Sequence, residues 1–87
     1  MIITYTKKAK KDVDKINSIK ALRKKTRELL EVLEKDPFQY PPEYEKMTGD
    51  LQGFYSRRIN IQHRIVYDVD EKNKIVKIYS MWSHYEF

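Results

Sequence analysis

Gly53–Val69 reads GFYSRRINIQHRIVYDV, and its reading decides the fold. β-branched and aromatic residues fit a pleated, half-buried surface, and here they come in two runs, about Phe54–Asn60 and His63–Val69. We read them as adjacent strands. Arg57, Arg58, His63 and Arg64 are interleaved with Phe54, Tyr55, Ile59, Ile61, Ile65, Val66 and Tyr67. One face of a small sheet is therefore expected to be cationic, a platform suited to a phosphate-rich chain. Composition alone favours a blander reading, in which the arginines are a solvated outer face. If Ile59, Ile65, Tyr67 and Val69 face a core, alternation sends Arg58, Arg64, Val66 and Asp68 to the other side.

Outward from this stretch, a third strand is expected at Lys74–Trp82, after a polar turn at Asp70–Asn73. Upstream lies Met47–Gly53, a turn-rich passage holding both glycines of the chain. Before it, PFQYPPEY (Pro37–Tyr44) is a rigid aromatic loop, too short to link two domains. Ile19, Leu22, Thr26, Leu29, Leu30 and Leu33 mark one face of a helix that Asp36-Pro37 ends. Its basic residues come early and its acidic ones late, against the helix dipole. An earlier helix, Lys7–Ile16, has Thr6 as its N-cap and only Ala9, Val13 and Ile16 as its stripe. Asn17-Ser18 breaks the two helices, with Ser18 expected to cap the second. Ile2–Tyr5 is β-prone. Helices first and strands after predict one α+β domain over 1–87. Its two N-terminal helices pack on one face of a small, mainly antiparallel sheet, and the other face stays open.

With 87 residues the chain can bury one modest core. It has no cysteine, so disulfides and thiolate metal sites are excluded and a reducing, cytoplasmic location is expected. No run is long and apolar enough for a membrane helix, and the start lacks a signal-peptide core. A net charge of +5 points to an anionic partner, nucleic acid or acidic protein alike.

A glutamate (Glu45, in PPEYEK), then G-F-x-S-R-R-I, then H-R-x-V-Y, then His84-Tyr85 together resemble the YoeB-type toxins of the RelE superfamily. The likeness is detailed in the second half of the chain and holds only in outline in the first. The resemblance implies the RelE/YoeB-like microbial RNase fold and the toxin of a type II toxin–antitoxin pair. Such a toxin is a metal-independent endoribonuclease, an mRNA interferase that cuts messenger in the ribosomal A site without a cofactor. It also implies an acidic antitoxin as partner, beside the bacterial ribosome and mRNA, with a homodimer left open. Residue by residue, it makes Glu45, Arg64, His84 and Tyr85 catalytic and puts Arg57, Arg58 and Lys46 on the RNA.

The chemistry makes independent sense of these residue types. RNA is cleaved when its own 2′-hydroxyl attacks the adjacent phosphorus. That step needs a base, an acid for the leaving 5′-oxygen, and cations for the phosphorane. Glu45 suits the base, His84 the acid, and Arg64 the two-pronged phosphate grip. Tyr85 suits orienting the phosphate or stacking on a base. Without the resemblance, Glu43 and Glu45 would be solvated loop carboxylates, His63 a structural hydrogen-bonder and His84 a chain-end residue. Phe38, Tyr40, Tyr44 and Trp82 would be packing. Two departures from the family pattern stand out. Glu86-Phe87 extend past the usual His-Tyr end, and Trp82 takes a place often held by arginine. Two other readings compete: a ParE-like toxin that binds gyrase and cuts nothing, and a non-catalytic RNA-binding domain.

Overall fold

The computed structural model describes residues 1–82. Strand β1 (Ile2–Tyr5) is followed by helices α1 (Lys7–Asn17) and α2 (Lys20–Lys35). Then come a two-residue strand β2 (Glu45–Lys46), a 3₁₀ turn at Gly49–Leu51, and strands β3 (Tyr55–Arg58), β4 (Arg64–Asp70) and β5 (Ile75–Ser80). The sheet order is β1-β5-β4-β3-β2. All pairings are antiparallel except β1 with β5, which is parallel. This is the expected α+β architecture, with β2 added at the sheet edge where only loop had been expected.

Local chemistry explains most of the boundaries. The Thr6 hydroxyl accepts from the Ala9 amide at 3.1 Å, capping α1. It also donates to the Tyr79 carbonyl at 3.0 Å, so the cap ties the helix to β5. Asp36 is extended, with φ −157°, as a residue before proline must be when it ends a helix. Ser18 does not cap α2. Its hydroxyl donates to the Lys15 carbonyl at 2.6 Å, closing α1, and Ile19 stands at the α2 N-cap without a side-chain bond. A serine between two helices serves whichever end its rotamer reaches, and here the carbonyls of the preceding turn are nearer. Gly53, at φ +98°, makes the left-handed turn that launches β3.

The core lies between the helices and one sheet face. Ala9 and Ile16 of α1 and Leu22, Leu29 and Leu33 of α2 pack with Ile59, Ile65, Tyr67, Val76, Ile78 and Met81. The alternation expected for β4 holds, since Ile65 and Tyr67 join this core while Val66 does not. The face away from the helices is less open than expected. Val66 is fully buried on it, between Ser56 and Ser80 in register, and both serines are buried too.

α1 is held to the sheet by a buried charge. Asp12, 1% exposed, accepts from the Met81 amide at 3.0 Å and from Lys8 Nζ at 2.6 Å. Position 12 lies three residues after Ala9 and four before Ile16, on the same helix face, so spacing allowed its burial and only its charge argued against it.

Candidate active site

Glu45 pairs with Ser56 across β2 and β3, and Ser56 pairs with Val66 across β3 and β4. Two pairs along, Arg58 stands opposite Arg64. Directly paired residues share a face, so Glu45, Ser56, Arg58 and Arg64 all stand on the side away from the helices. Arg64 Nη1 lies 3.5 Å from Glu45 Oε2 and donates to Ser56 Oγ at 3.2 Å. These four residues, with Glu43 and Tyr44, line a small depression of about 130 Å³. The Arg64 side chain is mostly covered and the Glu45 side chain is 66% exposed. A cation held by a hydroxyl in a half-covered hollow can grip a phosphate, and the accessible carboxylate beside it can accept a proton.

Arg57 corrects the expectation that it contacts RNA. It is 0% exposed and faces the core opposite Ile65. Its Nε donates to the Tyr67 hydroxyl at 3.1 Å. Nη1 donates to the Pro42 carbonyl at 2.6 Å, and Nη2 to those of Pro37 and Gln39, both at 2.9 Å. The guanidinium also lies 4.9 Å from the centre of the Tyr44 ring. Adjacent residues on a strand point to opposite faces, so Arg57 and Arg58 could not both join the cationic side. The donors of Arg57 are spent on holding the 37–42 loop against the sheet, and that loop delivers Tyr44 and Glu45 to the site.

The same alternation separates Lys46 from the two arginines. It pairs with Tyr55, whose ring stacks on that of Tyr67 at 5.7 Å on the core side, so exposed Lys46 belongs to the face opposite Arg58 and Arg64. The loop itself is braced by rings. Phe38 meets Tyr55 edge-on at 5.4 Å and Tyr44 meets Tyr55 at 5.9 Å. Burial pushes the Tyr67 hydroxyl up to about 12, the Arg57 charge and hydrogen bond offsetting part of the rise.

His63 is buried and stacks on Trp82, ring centres 4.3 Å apart, which agrees with its reading as a structural residue. His84 and Tyr85 lie outside the described residues, as does the Glu86-Phe87 tail. Ser56 was not singled out from the sequence as a site residue. Its signal was there: it lies two positions before Arg58, on the face that Arg58 was assigned.

A family model described as "YoeB-like toxin of bacterial type II toxin-antitoxin system" matches residues 4–85. The chain is 32% identical to Toxin YoeB of Streptomyces coelicolor over 77 residues, covering 87% of this chain and 92% of that one. It is 34% identical to Toxin YoeB of Synechocystis over 57 residues, a match spanning 66% of each chain. The fold superposes on the solved structure "YoeB-YefM complex from Staphylococcus aureus" with a TM-score of 0.82 and 36% identity, covering 98% of both chains. Sheet order, helix placement and nearly the whole length of the sequence thus agree with one group of proteins, and the chain belongs to the YoeB-like, RelE-fold toxins of bacterial type II toxin–antitoxin systems.

Proposed function

We propose that this toxin is an endoribonuclease that cleaves mRNA in the ribosomal A site and so stops translation. The observation that carries this reading is the placement of Glu45, Ser56, Arg58 and Arg64 around one small hollow on an accessible sheet face. In this reading Glu45 takes the proton from the 2′-hydroxyl. Arg64, steadied by Ser56, holds a non-bridging phosphate oxygen and stabilises the phosphorane, with Arg58 adding a second cation. As phosphate enters, Arg64 exchanges its contact with Glu45 for one with the substrate, and the carboxylate is released for the proton. The family resemblance gives His84 the protonation of the leaving 5′-oxygen and Tyr85 the orientation of the phosphate. No step draws on a metal, so chelators should leave the chemistry intact on an intact ribosome.

The partner in the S. aureus structure named above is YefM. For this chain we propose an acidic antitoxin that covers the Arg58–Arg64 face in the cytoplasm, as a +5 charge would favour. No described helix is long and apolar enough to cross a membrane.

The test is a programmed ribosome whose messenger carries a single 2′-deoxy nucleotide at the cut site. The toxin should bind it and leave that position uncut, while the all-ribo messenger yields an upstream fragment ending in a 2′,3′-cyclic phosphate. Efficient cleavage at the deoxy position would overturn the 2′-hydroxyl route. Absence of any cleavage alongside inhibition of gyrase would favour the ParE-like reading.

A further inference from the structure

The face that carries Arg58 and Arg64 also carries a group that phosphate chemistry leaves unused. The rings of Phe54 and Tyr79 meet edge to face, with centres 4.7 Å apart and planes at 87°. The Tyr79 hydroxyl donates to Asp68 Oδ2 at 2.9 Å, and Lys77 Nζ lies 5.3 Å from the centre of the Tyr79 ring. Asp68 and Lys77 are register partners, so the carboxylate has a cation beside it. Neither ring belongs to the core, and both are half-buried on the outer face. The register of β4 and β5 slips here. Val66 pairs with Ser80 and Tyr67 with Ile78, leaving Tyr79 as the extra residue. Slips of this kind re-aim a side chain and are frequent beside active sites. Here the slip coincides with an aromatic ring on the side where burial in the core is not the reward.

We propose that Phe54 and Tyr79 form a stacking subsite for one base of single-stranded RNA, next to the phosphate held by Arg58 and Arg64. The proposal deepens the nuclease reading and rests on it for the identity of the ligand. Phe54, immediately before β3, continues the alternation of Ser56 and Arg58 on one face. The ring therefore starts about 13 Å from Arg58, close enough for a base that flanks the gripped phosphate. Stacking reads ring area, so the subsite favours purines over pyrimidines without naming one. Lys77 is exposed and mobile enough in its four-carbon stem to leave the ring for a flanking phosphate as the base arrives.

The test uses a short 2′-O-methyl RNA, which binds without being cut, and a set in which one base at a time is replaced by an abasic site. Affinity is read by fluorescence anisotropy on the whole protein. Wild type should lose about tenfold at one abasic position. Tyr79→Leu and Phe54→Leu should each bind the complete RNA about tenfold more weakly and show no further loss at that position. Tyr79→Phe keeps the ring and should bind like wild type, which separates stacking from any loss of fold. Arg64→Ala should weaken every RNA in the set yet keep the abasic step, so failure of the phosphate site and failure of the stacking subsite give different patterns. The proposal is overturned if wild type binds none of the RNAs, if no abasic position matters, or if the abasic loss persists in Tyr79→Leu. It is also overturned if Tyr79→Leu binds RNA normally and loses only antitoxin, which would make the rings a protein contact.

Discussion

Two neighbouring arginines have opposite fates, and the difference is physical. Arg58 keeps its charge in solvent. Arg57 gives up hydration for the carbonyls of Pro37, Gln39 and Pro42 and the Tyr67 hydroxyl. Removing it strands three carbonyls under a rigid loop, so Arg57→Met should lower stability by roughly 3 kcal/mol or more, read as a shift of the urea midpoint. Activity should fall as well, because the same loop positions Glu45. The loss should be greater than for Arg58→Met in stability and smaller in RNA affinity. Tyr67 sets a pH signature. Its folded-state value, about 12, lies above the ordinary 10.0. The unfolded chain therefore releases this proton first, and stability is full below pH 10 and falls as pH rises toward 12. The Tyr67 share of that fall is about 2–3 kcal/mol. Burial raises Tyr5 and Tyr79 as well, adding to the fall in the same direction. Denaturant midpoints across this range should drop steeply for wild type and less steeply for Tyr67→Phe, although that variant starts lower because Arg57 Nε loses its acceptor.

At the scale of elements, the sequence was legible where a periodic pattern met one boundary residue. Leu22, Thr26, Leu29 and Leu33 marked the buried side of α2, Thr6 marked the start of α1, and Ile65 and Tyr67 set the parity of β4. What was not legible depends on partners far away in the chain. Ser18 had two helix ends to choose from. Glu45 and Lys46 form a strand only because β3 offers them an edge. Arg57 reads like Arg58 until the 37–42 loop is in place. Of the candidate site, Glu45, Arg58 and Arg64 were found by motif and resemblance, whereas Ser56 needed the register. The partner of Asp12 was hidden for the same reason, since it is a backbone amide just past the end of β5. Asp12→Ala leaves the Met81 amide without an acceptor and should cost about 1–3 kcal/mol in thermal or urea unfolding. Asp12→Asn keeps an acceptor for that amide and should lose less than half as much.

For the molecule as a whole, charge and shape act together. A net +5 on a small body draws it toward anionic assemblies over distances longer than any contact, an effect that salt weakens. The sheet then decides when that charge becomes dangerous. β5 is hydrogen-bonded on both sides, to β1 and to β4, and Thr6 reaches Tyr79 across 73 residues of sequence. Among the described strands, synthesis delivers β1 first and β5 last. Until β5 is out, β1 has nothing to pair with, the amide that Asp12 will hold does not exist, and the helices cover half a sheet. A nascent chain stopped at Asp70 should therefore be protease-sensitive and lack cooperative unfolding, and one carrying β5 should resist. If the toxin acts on ribosomes as proposed, sheet order works as a delay: the ribosome that makes it holds it unarmed until translation of the fold is done.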